Sequence, residues 1–387
     1  MEKRILYFLS ILTILALSCT KHHAETEGQN QITFSVTDYN VSVVDVKSAT
    51  EEVGASYLFE TTDDFQNKGE KDGVKGHGGY FNVTVFHNDS KASYFTDSTT
   101  VRYHDDVNVG ETASWRTYYP GTDFPDQSDK VDYSDRGYVS IYWPYDKNKK
   151  LDFIAYMPLK RPAVTGGLKR IEPELDPYTY ISLADHDASK NPTFVCTGLP
   201  TDKAGQAQAK EFLYAYAPGQ SYSGSEGQVG LNFKHAYAAV YIQIDWASGI
   251  INSFGFKDIY NNGILTVLPD TGVWTATGDK TDLIMDEVNH TIPGNIQPGD
   301  KYGPFLVLPQ DVSENQTQLT ITTTLKGETT SNSYNLFGDN YIGPSSWESG
   351  KKYVYALTLG SSEDNIKVNV YINEWDEIGD GQEIEIK

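Results

Sequence analysis

The feature that most constrains this chain is an alternation of apolar and polar residues at a period of two, repeated in short segments. It is clear in YFNVTVF (80–86), HAYAAVYIQIDW (235–246) and IKVNVYINEW (366–375). Successive side chains of a β-strand point to opposite faces, so each segment buries one face and leaves the other in water. Further segments of this kind are ITFSV (32–36), YVSIYW (138–143), LTITTTL (319–325) and YVYALTL (353–359). The pattern favours antiparallel sheets packed face to face and predicts an all-β protein.

Sustained helical periodicity is almost absent. DKAGQAQAKEFLYA (202–215) has a helix-forming composition, but Gly205 and a short apolar stripe limit it to a brief helix. LDFIAYMP (151–158) is more continuously apolar and ends at a proline, which stops a strand. The 27 tyrosines and 33 glycines of the chain suit many short strands joined by tight turns.

The amino terminus predicts export. Lys3 and Arg4 precede a 13-residue, mainly apolar run over 5–17, whereas a membrane span needs about 20 such residues. We therefore predict a signal peptide over residues 1–18. The string LALSC (15–19) resembles the lipobox of bacterial lipoproteins, with Ala16 where leucine is commonest. By this resemblance Cys19 is the lipid-attachment site, acylated by chains such as palmitate; the alternative is an ordinary cleaved signal with an incidental cysteine.

Residues 19–31 are polar and aperiodic, as expected of a lipidated tether. His22 and His23 in this tether lack the fixed geometry that a metal site needs. Cys196 is the second cysteine of the chain and has no partner if Cys19 is acylated. We predict a small buried apolar residue at Cys196 in preference to a reactive thiol.

The segment APGQSYSGSEGQVG (217–230) is rich in Gly, Ser and Pro and is the best candidate for a domain boundary. We place the boundary near residue 228. This predicts an N-terminal β-sandwich over 32–228 and a C-terminal β-sandwich over 229–387. A loop-rich zone over 61–79 is expected to be an exposed excursion of the first sandwich.

The charge of the chain argues against nucleic acid as a partner. Its 31 Lys and Arg against 53 Asp and Glu give 31 − 53 = −22, which repels phosphate backbones. No G-x-S-x-G and no phosphate-binding G-x-x-x-x-G-K-[ST] occurs, so neither acyl transfer nor nucleotide chemistry is indicated. We expect no catalytic residues and no cofactor, although two carboxylates for glycoside hydrolysis are never excluded by sequence.

Clusters of potential metal ligands are also unconvincing. In HDD (104–106) and DHD (185–187), adjacent residues on a strand would point to opposite faces and would not converge on one ion. The acidic loop DEIGDGQE (376–383) lacks the spacing of an EF-hand. We expect no metal site, and we expect His235 to be a hydrogen-bonded structural residue.

Several longer strings together resemble the fimbrillin family of type V pilins and fimbrillin-like lipoproteins. These are LDFIAYMP (151–158), EFLYAYAPG (211–219), LNFKHAYAAVYIQI (231–244), GPFLVLPQ (303–310), WESGKKYVYALTLG (347–360) and VNVYINEWDE (368–377). They follow the usual order of the family over residues 150–377. The resemblance implies two tandem transthyretin-like β-sandwich domains behind a lipoprotein signal peptide. It also implies a non-catalytic structural, accessory or adhesive role in a fimbria at the outer membrane and cell surface.

In polymerising members of this family a protease cuts after a basic residue, and the first strand leaves a groove that a strand of another subunit fills. The matching position here is VKSA (46–49), where Lys47 stands at the usual arginine. Two interpretations stay open: a protease accepts Lys47, or the protein keeps its first strand as an anchor, tip or accessory subunit. The terminus EIEIK (383–387) is either a closing strand of its own sandwich or an exchanged strand.

The alternative function is a lipoprotein that binds surface glycans through exposed aromatic rings. Its candidate residues, besides tyrosines, are Trp115, Trp143, Trp246, Trp274, Trp347 and Trp375. Tryptophan in a sandwich more commonly fills the core, which is the competing interpretation of all six. The partners implied by the leading hypothesis are other fimbrial subunits, a membrane for the lipid anchor, and a bacterial or host surface ligand.

Overall fold

The alternating segments form the β-strands of a computed structural model. The structure describes residues 30–36, 80–95, 99–104, 114–118, 123–125, 139–160, 168–170, 174–184, 191–247, 249–286, 290–291, 300–336, 343–359, 366–374 and 382–384. The predicted signal peptide, Cys19, Lys47 and the 61–79 zone lie outside these residues. β-strands make up most of the described part and helices only a small share of it, which confirms the all-β prediction.

The first group of strands precedes residue 228. They are β1 (Thr33–Val36), β2 (Tyr80–His87), β3 (Thr99–His104), β4 (Ser114–Tyr118), β5 (Asp123–Pro125), β6 (Leu151–Met157), β7 (Leu168–Arg170), β8 (Ile181–Leu183), β9 (Thr193–Cys196) and β10 (Leu213–Gln220). Two short helices, α1 (Lys203–Gln208) and α2 (Tyr222–Ser225), and a 3₁₀ turn (Pro177–Thr179) accompany them. The helix α1 confirms the brief helix expected in 202–215.

The second group follows. Its strands are β11 (Gln228–Leu231), β12 (Lys234–His235), β13 (Ala238–Ala247), β14 (Ile250–Ile259), β15 (Gly263–Val267), β16 (Gly272–Ala276), β17 (Thr281–Met285), β18 (His290–Thr291), β19 (Asp300–Val307), β20 (Gln310–Asp311), β21 (Gln318–Leu325), β22 (Glu328–Asn335), β23 (Ser346–Trp347), β24 (Lys351–Leu359), β25 (Ile366–Glu374) and β26 (Gln382–Ile384).

Four larger sheets organise these strands. A six-stranded sheet has the order β12-β10-β6-β2-β3-β4, and a four-stranded sheet has the order β16-β15-β9-β8. Two five-stranded sheets have the orders β19-β13-β24-β25-β26 and β17-β14-β21-β22, with β18 also paired to β14 in the second. Three two-stranded pairs complete the described part: β1-β11, β20-β23 and β5-β7.

The strand β6 is buried along its whole length, because both faces of the six-stranded sheet carry a hydrophobic core. Phe153 and Ala155 pack with β1 and β11 on one face, whereas Ile154 and Tyr156 pack with the four-stranded sheet on the other. This explains why 151–158 is denser in apolar residues than the half-exposed strands. A third core, which includes Val240 and Ile321, lies between the two five-stranded sheets.

Backbone pairing runs across residue 228, where the sequence predicts a domain boundary. In the four-stranded sheet, β9 pairs with β15, for example through Phe194 and Leu265. The strands β1 and β10 likewise pair with β11 and β12. Strands that precede residue 228 are thus paired with strands that follow it. The division into two tandem sandwiches stays a prediction.

One predicted strand was wrong. The segment YVSIYW (138–143) contains no regular strand in its described residues 139–143, only an isolated bridge between Tyr142 and Gln31. Its alternation is nevertheless used, since Ile141 and Trp143 are buried and Tyr142 is exposed. None of the helices that the structure describes has the length and apolar character needed to cross a bilayer.

Buried carboxylates in this acidic chain are held by several donors. Asp152 is 1% exposed and accepts hydrogen bonds from the Asn88 side chain and the Gly219 N–H, both at 2.7 Å, and from the Lys91 ammonium. The carboxylate therefore joins the turn after β2 to the end of β10. Satisfaction of all these groups matters because a buried charge without partners is costly.

We predict that Asp152→Asn lowers the free energy of unfolding by about 1.5–3 kcal/mol, the usual range for hydrogen bonds to a charged group. The amide keeps the shape of the side chain but removes the charge that Lys91 faces. Asp89→Asn is the matched control, because Asp89 is an exposed carboxylate whose ion pair with Lys149 is 3.6 Å long. Urea denaturation of both variants provides the measurement, and equal effects would contradict the assigned role of Asp152.

We also predict that Cys196 is unreactive in the folded chain. It is 1% exposed, and burial raises the pKa of its thiol to about 11. The folded state therefore keeps the thiol neutral, and this contribution to stability is lost as pH rises from about 9 towards 11. Iodoacetamide should label Cys196 at pH 8 only after denaturation; rapid labelling of native protein would contradict the predicted buried position.

Candidate functional site

The described chain begins with a segment inserted between two other parts of the molecule. On one side, β1 runs parallel to β11, with Phe34 opposite Val229 and Val36 opposite Leu231. On the other side, the Ile32 N–H donates to the Ile141 carbonyl at 2.8 Å. A parallel pair needs a crossover connection, and here the paired residues are almost two hundred positions apart. We call the space occupied by residues 30–36 the first-strand groove.

Apolar side chains fill this groove. Ile32 is 1% exposed and Phe34 is 4% exposed. The ring of Phe34 meets Phe81 and Phe153 edge-on, with centroids 6.2 and 6.0 Å apart. Each such side chain gains about 1.5–3 kcal/mol from full burial, so the groove binds its strand mainly through these two positions.

Gly227 and Trp143 form the end of the groove at which the segment enters. The Gly227 carbonyl accepts from the Thr33 N–H at 3.0 Å and from the Trp143 indole N–H at 3.2 Å. Gly227 has a φ of +91°, and a Cβ there would lie 3.2 Å from the Tyr222 ring and 3.5 Å from the Gln31 carbonyl. A glycine is therefore required where the wall approaches the inserted backbone. The backbone N–H of Trp143 donates to the Asn30 carbonyl at 3.0 Å and extends the backbone pairing between Ile32 and Ile141.

The inserted strand presents alternate faces to the groove. Phe34 is buried, Thr33 is exposed, and Ser35 and Val36 are half-buried. Main-chain hydrogen bonds hold an extended segment of any sequence, whereas pockets for alternate side chains select the sequence. The arrangement can therefore recognise another strand with apolar residues at the positions of Ile32 and Phe34.

Sequence reasoning placed the first strand but missed the wall of the groove. The sequence predicts a domain boundary in residues 217–230, whereas Gly227 and β11 hold β1. A signal was available, because Val229, Leu231 and Phe233 alternate with polar residues and all three are buried. Lys47, the predicted cleavage position, lies outside the described residues.

His235 is a structural residue, as predicted. It is 5% exposed, and its Nδ1 contacts the carboxylate of Glu211, which is fully buried. The contact between His235 and Glu211 links β12 to the residues that lead into β10. The two strands are also paired through their backbones, with Leu213 opposite His235. No group of three or more metal-ligating side chains occurs among the residues that the structure describes.

The described tryptophans do not form an exposed aromatic surface. Trp143 and Trp347 are 1% exposed and Trp115 is 9% exposed. Trp274 stacks on Tyr237, and its indole N–H donates to the Ala236 carbonyl at 2.7 Å. The side chains of Trp246 and Trp375 lie outside the described part of the chain. These positions favour the core interpretation and leave the glycan-binding alternative without a described tryptophan.

The carboxyl-terminal segment pairs with its own chain where it is described. In β26, Ile384 lies opposite Val370 and Glu383 opposite Tyr371 of β25, in an antiparallel ladder. Residues 385–387 lie outside the described part. The described residues thus match the closing-strand interpretation of this terminus.

Comparison with known proteins identifies related sequences and structures. The sequence profile of a family described as fimbrillin-like matches residues 108–375. No curated protein matches the chain. A fimbrial protein from Bacteroides vulgatus is 14% identical over 84% of this chain and 99% of its own, with a TM-score of 0.47. A candidate cell adhesion protein from Bacteroides uniformis is 16% identical over 90% and 99%, with a TM-score of 0.44.

A third structure is that of the tip fimbrial protein Mfa3 from Porphyromonas gingivalis with a C-terminal truncation. It is 10% identical over 84% of this chain and 98% of its own, with a TM-score of 0.38.

We predict that Phe34→Ala lowers the free energy of unfolding by about 3–5 kcal/mol, the usual cost of removing a buried phenylalanine ring. Ser35→Ala is the matched control, because Ser35 is the next residue of the same strand and its side chain is only half-buried. We expect little change in the free energy of unfolding of this variant. Urea denaturation followed by tryptophan fluorescence measures both, because Trp143 lies beside the same strand. Equal midpoints for the two variants would show that the groove does not depend on this ring.

Proposed function

Because the chain belongs to the fimbrillin-like family, we propose that it is a non-catalytic structural, accessory or adhesive subunit of a fimbria. Membership of this family supports a role in a cell-surface appendage and assembly with other fimbrial subunits. The single observation that carries the finer mechanism is the burial of Ile32 and Phe34 in the first-strand groove.

The proposal includes export and lipid anchoring. The signal peptide over 1–18 would be removed, Cys19 would carry the acyl chains, and residues 19–31 would connect the anchor to the folded body. Each buried methylene of an acyl chain contributes about 0.8 kcal/mol, so two or three chains hold the protein firmly on the outer membrane. We propose that the anchored body lies at the cell surface, where a fimbrial subunit acts.

The mechanism we propose for assembly is strand exchange. Loss of β1 would expose the groove-facing backbone groups of β11 and the apolar pockets that hold Ile32 and Phe34. The apolar pockets are unfavourable in water and the exposed backbone groups are a template for pairing, so one incoming strand from another subunit satisfies both at once. The exchange therefore replaces lost intrachain contacts with equivalent contacts between chains.

Cleavage after Lys47 is the step proposed to release β1. A cut at that position separates residues 19–47, including the whole of β1, from the rest of the chain. If no protease accepts this lysine, the protein keeps its strand and acts as an anchor, tip or accessory subunit. The two versions differ only in whether the groove becomes available.

The experiment replaces Lys47 and its neighbours with the recognition sequence of a specific protease in the otherwise complete chain. We expect the cut protein to form a ladder of polymer bands on gels run under mildly denaturing conditions. The uncut protein should show no such ladder. A synthetic peptide of residues 30–36 should block polymerisation, because it refills the groove.

The matched control is the same peptide with Phe34→Ala. We expect it to block at least tenfold less effectively, since burial of one aromatic ring is worth about 1.5–3 kcal/mol. Cut protein that releases its fragment and yet stays monomeric would contradict strand exchange. Equal blocking by both peptides would contradict selection by the apolar pocket.

A further inference from the structure

The strand β22 forms an open edge of one five-stranded sheet. In the order β17-β14-β21-β22 it lies at the end, and in the described part of the chain β21 is its strand neighbour. The opposite edge of the sheet is contacted by another segment, because the Ile284 N–H on β17 donates to the Thr201 carbonyl at 2.9 Å and Asp202 forms a bridge with Ile284. Among the described residues, no such backbone contact is made to the outer edge of β22.

The turn that joins β21 to β22 determines which backbone groups point outward. Lys326 and Gly327 form a two-residue loop with φ of +52° and +86°, typical of a type I′ hairpin turn. Such a hairpin closes on a hydrogen-bonded pair, here Leu325 and Glu328, and pairs then alternate along the ladder. The residues whose N–H and C=O groups point away from β21, which we call the free edge, are Thr329, Ser331, Ser333 and Asn335.

The free edge lacks the features by which proteins usually protect a sheet edge. Its register with β21 is continuous from Gln318–Asn335 to Leu325–Glu328, without a bulge, and β22 contains neither lysine nor proline. The edge strand β19 is of equal length, but it contains Pro304 and a register shift. Lysine, proline and bulges normally prevent pairing with another chain, and their lack makes β22 a template for strand addition.

The free edge is also neutral in a chain whose net charge is −22. Its side chains are exposed and carry only hydroxyl and amide groups. A ladder of hydroxyl contacts to β21 holds them in place: Thr320–Ser333 at 3.3 Å, Thr322–Ser331 at 3.1 Å and Thr324–Thr329 at 2.8 Å. A second strand can therefore approach without like-charge repulsion at the contact and with little loss of side-chain freedom.

We propose that two copies of this chain pair through β22, antiparallel, around a two-fold axis at Asn332. In this register Ser331 faces Ser333 of the second copy, and Thr329 faces Asn335 of the second copy. All four free-edge residues of each strand then find backbone partners, and no charged residue lies opposite another. The strand is self-complementary, as an isologous interface requires.

A second copy is the occupant that the chemistry favours. An arbitrary strand would bring its own charges to the edge, whereas the free edge of a second copy brings only hydroxyl and amide side chains and has a matching length. The inference rests on the proposed function only for its setting, a fimbria in which copies lie close together. The pairing itself uses no part of the first-strand groove, so it is expected in uncut protein.

The test uses two single cysteine variants of the full chain, each compared with the parent, which also contains Cys19 and Cys196. Across the proposed axis the two Asn332 residues form a non-hydrogen-bonded pair with Cα atoms about 4.5 Å apart, within reach of a disulfide. Asn332→Cys should therefore give a disulfide-linked dimer under mild oxidation. In the same register the two Ser331 residues are offset by two positions, about 8–9 Å apart, so Ser331→Cys should crosslink at least tenfold less.

A second pair of variants tests the backbone contacts without cysteine. Ser331→Pro removes an outward N–H but none that pairs with β21, and should weaken dimerisation at least tenfold in sedimentation analysis. Ser331→Ala retains the N–H and should dimerise like the parent. Because the bodies repel each other, the dimer fraction of the parent should rise between low salt and 0.5 M salt.

Three results would overturn the proposal. These are equal crosslinking of both cysteine variants, a parent chain that stays monomeric at high salt, and a folded Ser331→Pro variant that dimerises like Ser331→Ala. Failure of strand exchange after cleavage would leave all these outcomes unchanged, because they are measured with β1 in place. The two proposals therefore fail separately.

Discussion

The structure depends on one constraint: every strand must find partners for its backbone N–H and C=O groups, and in this chain many partners are distant in sequence. The strand β1 obtains them from β11, and β9 obtains them from β15. Such pairings require the closure of long loops before any contact is gained, which makes the fold dependent on late, long-range contacts. Within the described residues the strand partner of β1 is distant in sequence, which is why removal of β1 would leave the first-strand groove empty.

Buried charged side chains, like the backbone groups, are paired with partners. The carboxylates of Asp152, Asp176 and Glu211 are buried, and each contacts a cationic or ionisable partner: Lys91, Lys210 and His235. These contacts connect β6, the 3₁₀ turn and β10 to other segments. The other acidic side chains whose exposure the structure describes lie at the surface, where their charge repels other copies except at an exposed neutral segment.

The sequence predicted the elements of this fold better than their partners. Alternation located β2, β13, β21, β24 and β25, because the period of a strand is local and depends only on which face is buried. It was misleading at YVSIYW, since residues 141–143 alternate in burial without joining a regular ladder. Register and pairing across residue 228 were beyond prediction, because they depend on which distant strand is free. For the site, Ile32 and Phe34 followed from alternation, whereas Gly227 is recognisable only when Gln31 is seen beside it.

The two proposed contacts differ in symmetry, and this difference decides what each can build. The first-strand groove and the strand that fills it are different surfaces, so their contact is heterologous and can continue from subunit to subunit. The free edge of β22 meets a copy of itself, so its contact is isologous and closes with two chains. The groove selects side chains through apolar pockets, whereas the free edge relies on backbone groups and neutral hydroxyls. If both proposals hold, the two contacts together would build a filament that grows in one direction through the groove and is joined in pairs through the edges of its subunits.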